Sequence, residues 1–321
     1  MRSAGGSMLP PLALALLLAG CAAARPAPEG SRENPYPPPG PPKAWEIRHV
    51  PTGLEVSFEG MMEMLSGARL VCIGETHDNR NDRRAELDVI RALHRRFPGK
   101  VAVGMEMFRE PQQEVLDRWT RGELTEAEFL EALKWRDAGS FDPRPYMEVL
   151  RFARDERIDL VALNPSKELQ EAFRRPEGGG GPEQARPGLP EIGETDPWQR
   201  AVLRGIFVGH AGSGEEAFEA FLRVQILWEE TMAERAVAWL KGPPGEGKRM
   251  VAITGGMHAR YGFGLPKKVV RRMPLAYAVV LTEEISTPEQ KKGRTMKTEI
   301  PEVPLLPADF VWHVPFEATA E

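Results

Sequence analysis

The chain has 321 residues, which is enough for one large α/β domain or about two smaller ones. Hydrophobic residues make up 41% and charged residues 28%, as is ordinary for a globular protein with a filled core. The formal net charge of −5 and the scattered basic residues give no reason to expect a nucleic-acid partner. Only two cysteines are present, so a disulfide framework is excluded, and no CxxC or CxxCH pattern occurs.

Residues 1–20 have the pattern of a signal peptide. Arg2 supplies the positive charge of the N-terminal region, and Leu9 to Leu18 form an apolar segment that is too short to span a bilayer. The segment ends in Leu18-Ala19-Gly20-Cys21, which resembles the lipobox of bacterial lipoproteins. The resemblance implies cleavage before Cys21 and its acylation, for example by palmitate, and two or more acyl chains anchor a protein stably to a membrane. The absence of Asp after the cysteine favours the outer membrane, facing the periplasm.

The rest of the chain divides by composition into three parts. Residues 21–43 are rich in proline and predict an extended tether between the membrane and the folded domain. Residues 44–282 are predicted to form that domain, interrupted by a flexible Gly/Pro loop at 176–197. Residues 283–321 are a C-terminal extension in which DFVWHVPF is predicted to add one strand.

Short apolar segments rich in β-branched residues predict five buried strands: RLVCIG, KVAVGM, IDLVALN, RMVAITGG and LAYAVVL. WEIRHV precedes them as a predicted edge strand. Helical spacing separates the strands, so the predicted fold class is α/β, with a largely parallel central sheet and helices on both faces. Helical periodicity alone extends over about 110–156 and 196–240, which predicts an inserted, mainly helical subdomain.

Polar side chains follow four of these predicted strands. Glu75 and His77 come after RLVCIG, Glu106 after KVAVGM, Asn164 ends IDLVALN, and His258 follows RMVAITGG. Because ligands bind beyond the carboxyl ends of the strands in an open α/β sheet, we expect these side chains to share one pocket.

This set of donors fits more than one chemistry. Two imidazoles and two carboxylates can bind a divalent metal such as zinc through Glu75, His77, Glu106 and His258. In a hydrolase, Glu75 and Glu106 would then be the catalytic carboxylates. The alternative interpretation is structural, with capping carboxylates, satisfied loop histidines and Asn164 capping a helix that opens at Pro165. The ligands are dispersed along the chain, and no HExxH motif joins them.

A series of short motifs resembles a known family when taken in chain order: GETHDN, VGMEMF, RFAR, ALN, VQILWEETMAE and GGMHARYGFGLP. Over roughly residues 50–282 the chain resembles the ChaN-like haem-binding uptake family, within the wider group of Tiki, TraB and erythromycin esterase proteins. The resemblance implies a role in haem or iron uptake, with haem or iron as cofactor and a homodimer that shares haem. It also implies that Glu75, His77, Glu106 and His258 form the shared pocket.

The sequence departs from this family in two places. Asp82 and Arg83 occupy the positions at which many relatives have a His-His pair, and Glu229 replaces an Asp. The loss of two imidazoles weakens any haem or metal assignment that depends on them.

Haem iron takes His, Tyr, Met or Cys as axial ligand, which makes Tyr146, Tyr261 and His258 the candidates near the pocket. Tyr261 can equally pack its ring against the sheet.

Three functions therefore stay open. The favoured one is a lipid-anchored protein of the cell envelope that binds haem or iron for uptake. The second is a metal-dependent hydrolase of peptide or ester bonds, and the third is an envelope scaffold with a vestigial pocket. Whether the protein is an enzyme is not decided by its sequence.

Overall fold

The computed structural model describes residues 40–136, 141–174, 188–208, 214–291 and 298–319. The predicted signal peptide, Cys21, the tether up to residue 39 and most of the Gly/Pro loop lie outside the described residues. Within the described ranges, no helix is both long and apolar enough to cross a membrane.

Eight described strands form one sheet in the order β2-β1-β8-β7-β3-β6-β4-β5. The strands are β1 (Ile47–His49), β2 (Leu54–Val56), β3 (Leu70–Glu75), β4 (Val101–Arg109), β5 (Asp159–Asn164), β6 (Arg249–Gly255), β7 (Tyr277–Ile285) and β8 (Phe310–Pro315). All neighbours from β8 to β5 are parallel, whereas β1 runs antiparallel to both β2 and β8. The predicted fold class, α/β with a largely parallel sheet, is confirmed.

Helices connect the strands and cover the sheet. They are α1 (Phe58–Leu65), α2 (Arg80–Arg96), α3 (Gln113–Thr120), α4 (Glu126–Ala132), α5 (Met147–Asp155), α6 (Lys167–Arg174), α7 (Pro197–Phe207), α8 (Glu215–Lys241), α9 (Gly256–Ala259), α10 (Leu265–Arg272) and α11 (Pro288–Lys291). Helix α4 begins with a capping box, in which Thr125 and Glu128 bond each other's backbone N–H groups.

Alternate residues of the central strands point into two different hydrophobic cores. Val71 and Ile73 of β3 pack in the first core, together with residues of α1, α2, α3 and α5. Leu70 and Cys72 pack in the second core, together with α8 and α10. A strand buried on both faces has to be apolar at every position, which is why RLVCIG shows no polar alternation. The division of the chain into domains remains a prediction.

The ends of the sheet differ from the sequence interpretation in one respect. The strand predicted from DFVWHVPF is confirmed as β8, which lies between β7 and β1. WEIRHV contributes β1, but β1 is not at the edge, because β2 pairs with its outer side. Leu54 is half-exposed and β2 is only three residues long, so periodicity gave no signal for it.

Gly74 in β3 allows α9 to approach the sheet closely. A Cβ atom at this position would lie 2.6 Å from Cδ2 of Leu281 and 2.9 Å from the Cα atom of Gly256. We expect Gly74→Ala to lower the free energy of unfolding by about 1–3 kcal/mol, because overpacking forces the backbone to move. Urea denaturation measures the change. Gly40→Ala is the matched control, since nothing lies within 4 Å of its added Cβ. Equal stability of the two variants would contradict this account.

Candidate functional site

The polar side chains predicted from the sequence lie at the carboxyl-terminal edge of the parallel strands. Glu75 is the last residue of β3 and is in register with Gly255, the last residue of β6. Glu106 lies within β4, Asn164 ends β5, and His258 lies in α9 directly after β6. Because these strands run in one direction, four separate segments bring polar groups to the same edge.

Glu75 is a buried carboxylate with both oxygens occupied. Its Oε1 atom accepts a hydrogen bond of 2.5 Å from the hydroxyl of Tyr146 and lies 2.7 Å from Nδ1 of His77. Its Oε2 atom accepts a hydrogen bond from Arg83. The Arg83 guanidinium also lies 4.2 Å above the Tyr146 ring. A carboxylate in such a place needs a cation and several donors, and Glu75 has them.

The loop after β3 is held by the start of α2 and by the C-terminal extension. Asp82 accepts hydrogen bonds from the backbone N–H and the hydroxyl of Thr76, at 2.7 and 2.8 Å. The side chain of Asn79 caps α2 by accepting from the Asn81 N–H. On the other side, the Arg80 N–H donates to the carbonyl oxygen of Glu317 at 2.7 Å. These contacts fix the loop that carries His77.

A second carboxylate, Glu106, faces the same edge. Its Oε2 atom accepts a hydrogen bond of 2.7 Å from the Gly255 N–H, and its Oε1 atom lies 3.6 Å from Nε2 of His258. Asn164 donates from Nδ2 to the carbonyl oxygen of Glu106 at 2.6 Å. Its Oδ1 atom is buried without a partner among the described residues. The Asn164 side chain therefore bonds β4, and Ser166 rather than Asn164 accepts from the first turn of α6, at the Leu169 N–H.

His258 is buried within a chain of alternating charges. Its Nδ1 atom lies 3.2 Å from Oε1 of Glu229, and Oε2 of Glu229 lies 2.9 Å from Nζ of Lys268. Burial lowers the pKa of His258, but the carboxylates of Glu106 and Glu229 outweigh it, so the pKa lies above its usual value. Burial raises the pKa of Glu229, but Lys268 and His258 hold it below its usual range. His258 and Glu229 thus stabilise each other's charged forms.

Gly255 is the point at which the two halves of the site meet. A Cβ atom on Gly255 would lie 3.2 Å from Nε2 of His77 and 3.7 Å from Oε2 of Glu106. His77 of the first half and Glu106 of the second half therefore approach the same small space. Glycine is needed here because any side chain would enter that space.

An open cavity of about 420 Å³ lies at this edge. Its lining includes His77, Glu106, Arg109, Phe141, Asn164 and Trp228. The His77 side chain is 44% exposed, while that of Glu75 is fully buried behind it. As far as the structure describes the chain, the predicted haem ligands Tyr146, Tyr261 and His258 are not among the lining residues. Tyr146 and His258 are buried, and Tyr261 lies in the turn after α9 with a positive φ of 59°.

Each of the four predicted metal ligands, Glu75, His77, Glu106 and His258, is hydrogen-bonded to a protein group in this arrangement. No group of three or more His, Cys, Asp or Glu side chains within the described ranges is placed to hold a metal ion. The reason is visible at Glu75, whose oxygens are taken by Arg83, Tyr146 and His77. The metal and catalytic roles of these residues remain predictions.

Sequence reasoning missed several residues of the site. Arg83 is the counterion of Glu75, although the sequence showed only that an arginine replaces an expected histidine. Glu229, which the sequence singled out only as a departure from the motif, bonds His258. Lys268 gave no signal, because a lysine on a short helix is common. Trp228 lies in the motif VQILWEETMAE, but nothing in the sequence assigned its side chain to the site. Trp228 lies 5.9 Å from His258, measured between ring centroids.

Burial raises the pKa of Glu86, which contacts Arg83, from 4.5 to about 7. The folded state therefore holds a proton that the unfolded state releases. The stability that Glu86 contributes is complete below pH 4.5 and is lost as the pH rises through about 7.

When the pH is raised from 5 to 8, the wild type should lose stability that Glu86→Gln keeps, because Gln cannot ionise. We expect the difference in the free energy of unfolding to shift by about 1–3 kcal/mol in favour of the variant. Urea denaturation at both pH values measures the difference. Glu216→Gln, on the exposed start of α8, is the control and should show no such trend. A constant difference for Glu86→Gln would show that this carboxyl group does not titrate in that range.

Comparisons with known proteins agree with the motifs. The family described as haem-binding uptake, Tiki superfamily, ChaN, matches residues 61–269. A structure of ChaN of Campylobacter jejuni with cofacial heme has a TM-score of 0.64 at 18% identity, over 85% of this chain and 98% of that one.

A mutant of the erythromycin esterase EreC in its open conformation has a TM-score of 0.45 at 14% identity, over 78% of this chain and 79% of that one. No curated protein matches this sequence. The structure of ChaN of Campylobacter jejuni shares the fold of this chain. Because the family match covers more than half of the sequence, the chain belongs to the haem-binding uptake family of the Tiki superfamily, ChaN.

Proposed function

We propose that this protein binds haem at the cavity beside His77 and serves haem or iron uptake in the cell envelope. The observation that carries the proposal is the state of His77, a half-exposed imidazole on the cavity wall whose Nδ1 atom is bonded to the buried Glu75. Membership of the family supports the same ligand.

The residues present fit a haem group. A histidine that binds a metal usually donates its other N–H to a carboxylate, which fixes the ring and increases its basicity. With Nδ1–H directed to Glu75, the lone pair of Nε2 is left for iron, and the described residues show no hydrogen bond at Nε2. Phe141 and Trp228 supply apolar lining for a porphyrin. Buried Asn164 Oδ1 and Trp228 Nε1 lack partners within the described chain, as expected where a ligand completes the site.

Tyr146 and His258, which the sequence suggested as axial ligands, fit that role less well than His77 does. Burial raises the pKa of Tyr146 well above its usual value, which disfavours the phenolate that would bind iron. Its hydroxyl is already committed to Glu75. His258 is buried behind Glu106 and bonded to Glu229. His77 therefore replaces them as the proposed ligand.

Replacement of His77 tests the proposal. We expect His77→Gln to lower haem affinity at least roughly 10- to 100-fold, the range found when only a residue behind a metal ligand is lost. Haem titration followed at the Soret band gives the affinity and the ligation state. His49→Gln is the matched control, because His49 lies on β1 towards the other end of the sheet. An unchanged Soret band in His77→Gln would reject His77 as ligand, and no band change in the wild type would reject haem.

Two copies of the chain sharing haem form part of the same proposal. The ChaN structure of Campylobacter jejuni is described as binding heme cofacially, and the two chains share a fold. The cavity is open, so a porphyrin bound at His77 would keep part of its surface available to a second copy. In the titration above, haem should convert a monomer into a dimer, as light scattering would show.

We also propose that Cys21 anchors the protein to the outer membrane, with residues 22–43 as the tether. The support is the sequence Leu18-Ala19-Gly20-Cys21 after an apolar segment of signal-peptide length. With the full chain expressed in a bacterial host, Cys21→Ala should abolish palmitate labelling and move the protein out of the membrane fraction. Cys72→Ala is the matched control, since Cys72 is buried in β3 and its replacement should leave labelling intact. Labelling that persists in Cys21→Ala would disprove the anchor.

A further inference from the structure

Arg109 is a cation on the cavity wall that the proposed haem site does not yet use. It is the last residue of β4 and lines the same cavity as His77. Its backbone N–H donates to Oε1 of Gln112 at 2.8 Å, which fixes the turn at the end of the strand. The Arg109 backbone is therefore fixed both by the strand and by the turn that follows it.

Among the described residues, the guanidinium group of Arg109 is hydrogen-bonded through one nitrogen, Nη1. Nη1 donates to the carbonyl oxygen of Pro165 at 3.0 Å and to Oε1 of Gln170 at 2.9 Å. Nε and Nη2 make no hydrogen bond to the described residues, and neither atom is among the buried atoms without a partner. The edge formed by Nε and Nη2 therefore stays available.

A guanidinium edge of this kind has a specific chemical preference. Two parallel N–H groups match the two oxygens of a carboxylate, which Arg binds in a bidentate manner. Burial lowers the pKa of Arg109, and Glu168 and Glu171 act against that effect. An arginine stays charged at neutral pH in any case. Glu106, the carboxylate on the same wall, is already bonded to the Gly255 N–H and paired with His258, so it does not occupy Arg109.

We propose that Arg109 binds a carboxylate of the ligand, so that the cavity selects a porphyrin that carries free acid side chains. The inference rests on the proposed haem site and deepens it, since it assigns the chemical class of the porphyrin. His77 would bind the iron, and Arg109 would orient the porphyrin by binding one of its carboxylates. The tether through Pro165 and Gln170 pre-organises the guanidinium, which reduces the entropy lost on binding.

The test compares haem with its dimethyl ester, whose acid groups are blocked. In one detergent buffer, the wild type should bind haem roughly 10- to 100-fold more tightly than the ester, the range of charge-assisted hydrogen bonds. Arg109→Met should weaken haem binding by the same factor and leave ester binding unchanged. Arg109→Lys should fall between them, because lysine keeps the charge but loses the bidentate edge.

Ester binding by Arg109→Met also reports whether the cavity is intact. Arg95→Met is the control, because Arg95 is exposed at the far end of α2 and should affect neither ligand. If Arg109→Met loses affinity for haem and for the ester equally, or if the wild type binds both ligands equally, the proposed role of Arg109 is rejected and the proposed function stands. No binding of either ligand by the wild type would overturn the proposed function and this inference together.

Discussion

The site depends on one buried carboxylate, Glu75, at the end of the central strand. Its charge is stabilised by Arg83 and by the Tyr146 hydroxyl, and it in turn fixes the ring of His77. Removing one partner of such a buried pair leaves an unpaired charge, which costs about 3–5 kcal/mol. Strand β3 and the start of α2, which are close in sequence, are thereby tied to the turn before α5, which is 71 positions away at Tyr146. The half-exposed position of His77 follows from this arrangement.

The second half of the site balances its charges in another way. Glu106, His258, Glu229 and Lys268 alternate in sign from the cavity to α10. Because each charge has an opposite neighbour, the attraction between them offsets the desolvation penalty of burying the row. Gly255 lets this half approach His77, since it places no side chain between them. The lining of the cavity thus carries both an imidazole, of His77, and a carboxylate, of Glu106.

Much of the fold could be read from the sequence because burial on both faces leaves a strong pattern. Segments such as RLVCIG and RMVAITGG are apolar throughout, and they became β3 and β6. Strand β2 left no such pattern, as it is three residues long and exposed. The edge to which the polar residues would converge was predictable from parallel topology alone. Their partners were not, since a hydrogen bond between Tyr146 and Glu75 depends on how α5 and its preceding turn pack.

By itself, the sequence determined the fold class, the edge of the sheet that carries the polar groups, and the family. These follow from local periodicity and from motifs that are short and contiguous. Only the tertiary structure decided which of the candidates reach the cavity. It buried Tyr146 and His258, left His77 half-exposed, and turned Arg83 into the counterion of Glu75. The physical reason is that exposure and ion pairing depend on distances between segments far apart in the chain, and residue spacing carries no record of those distances.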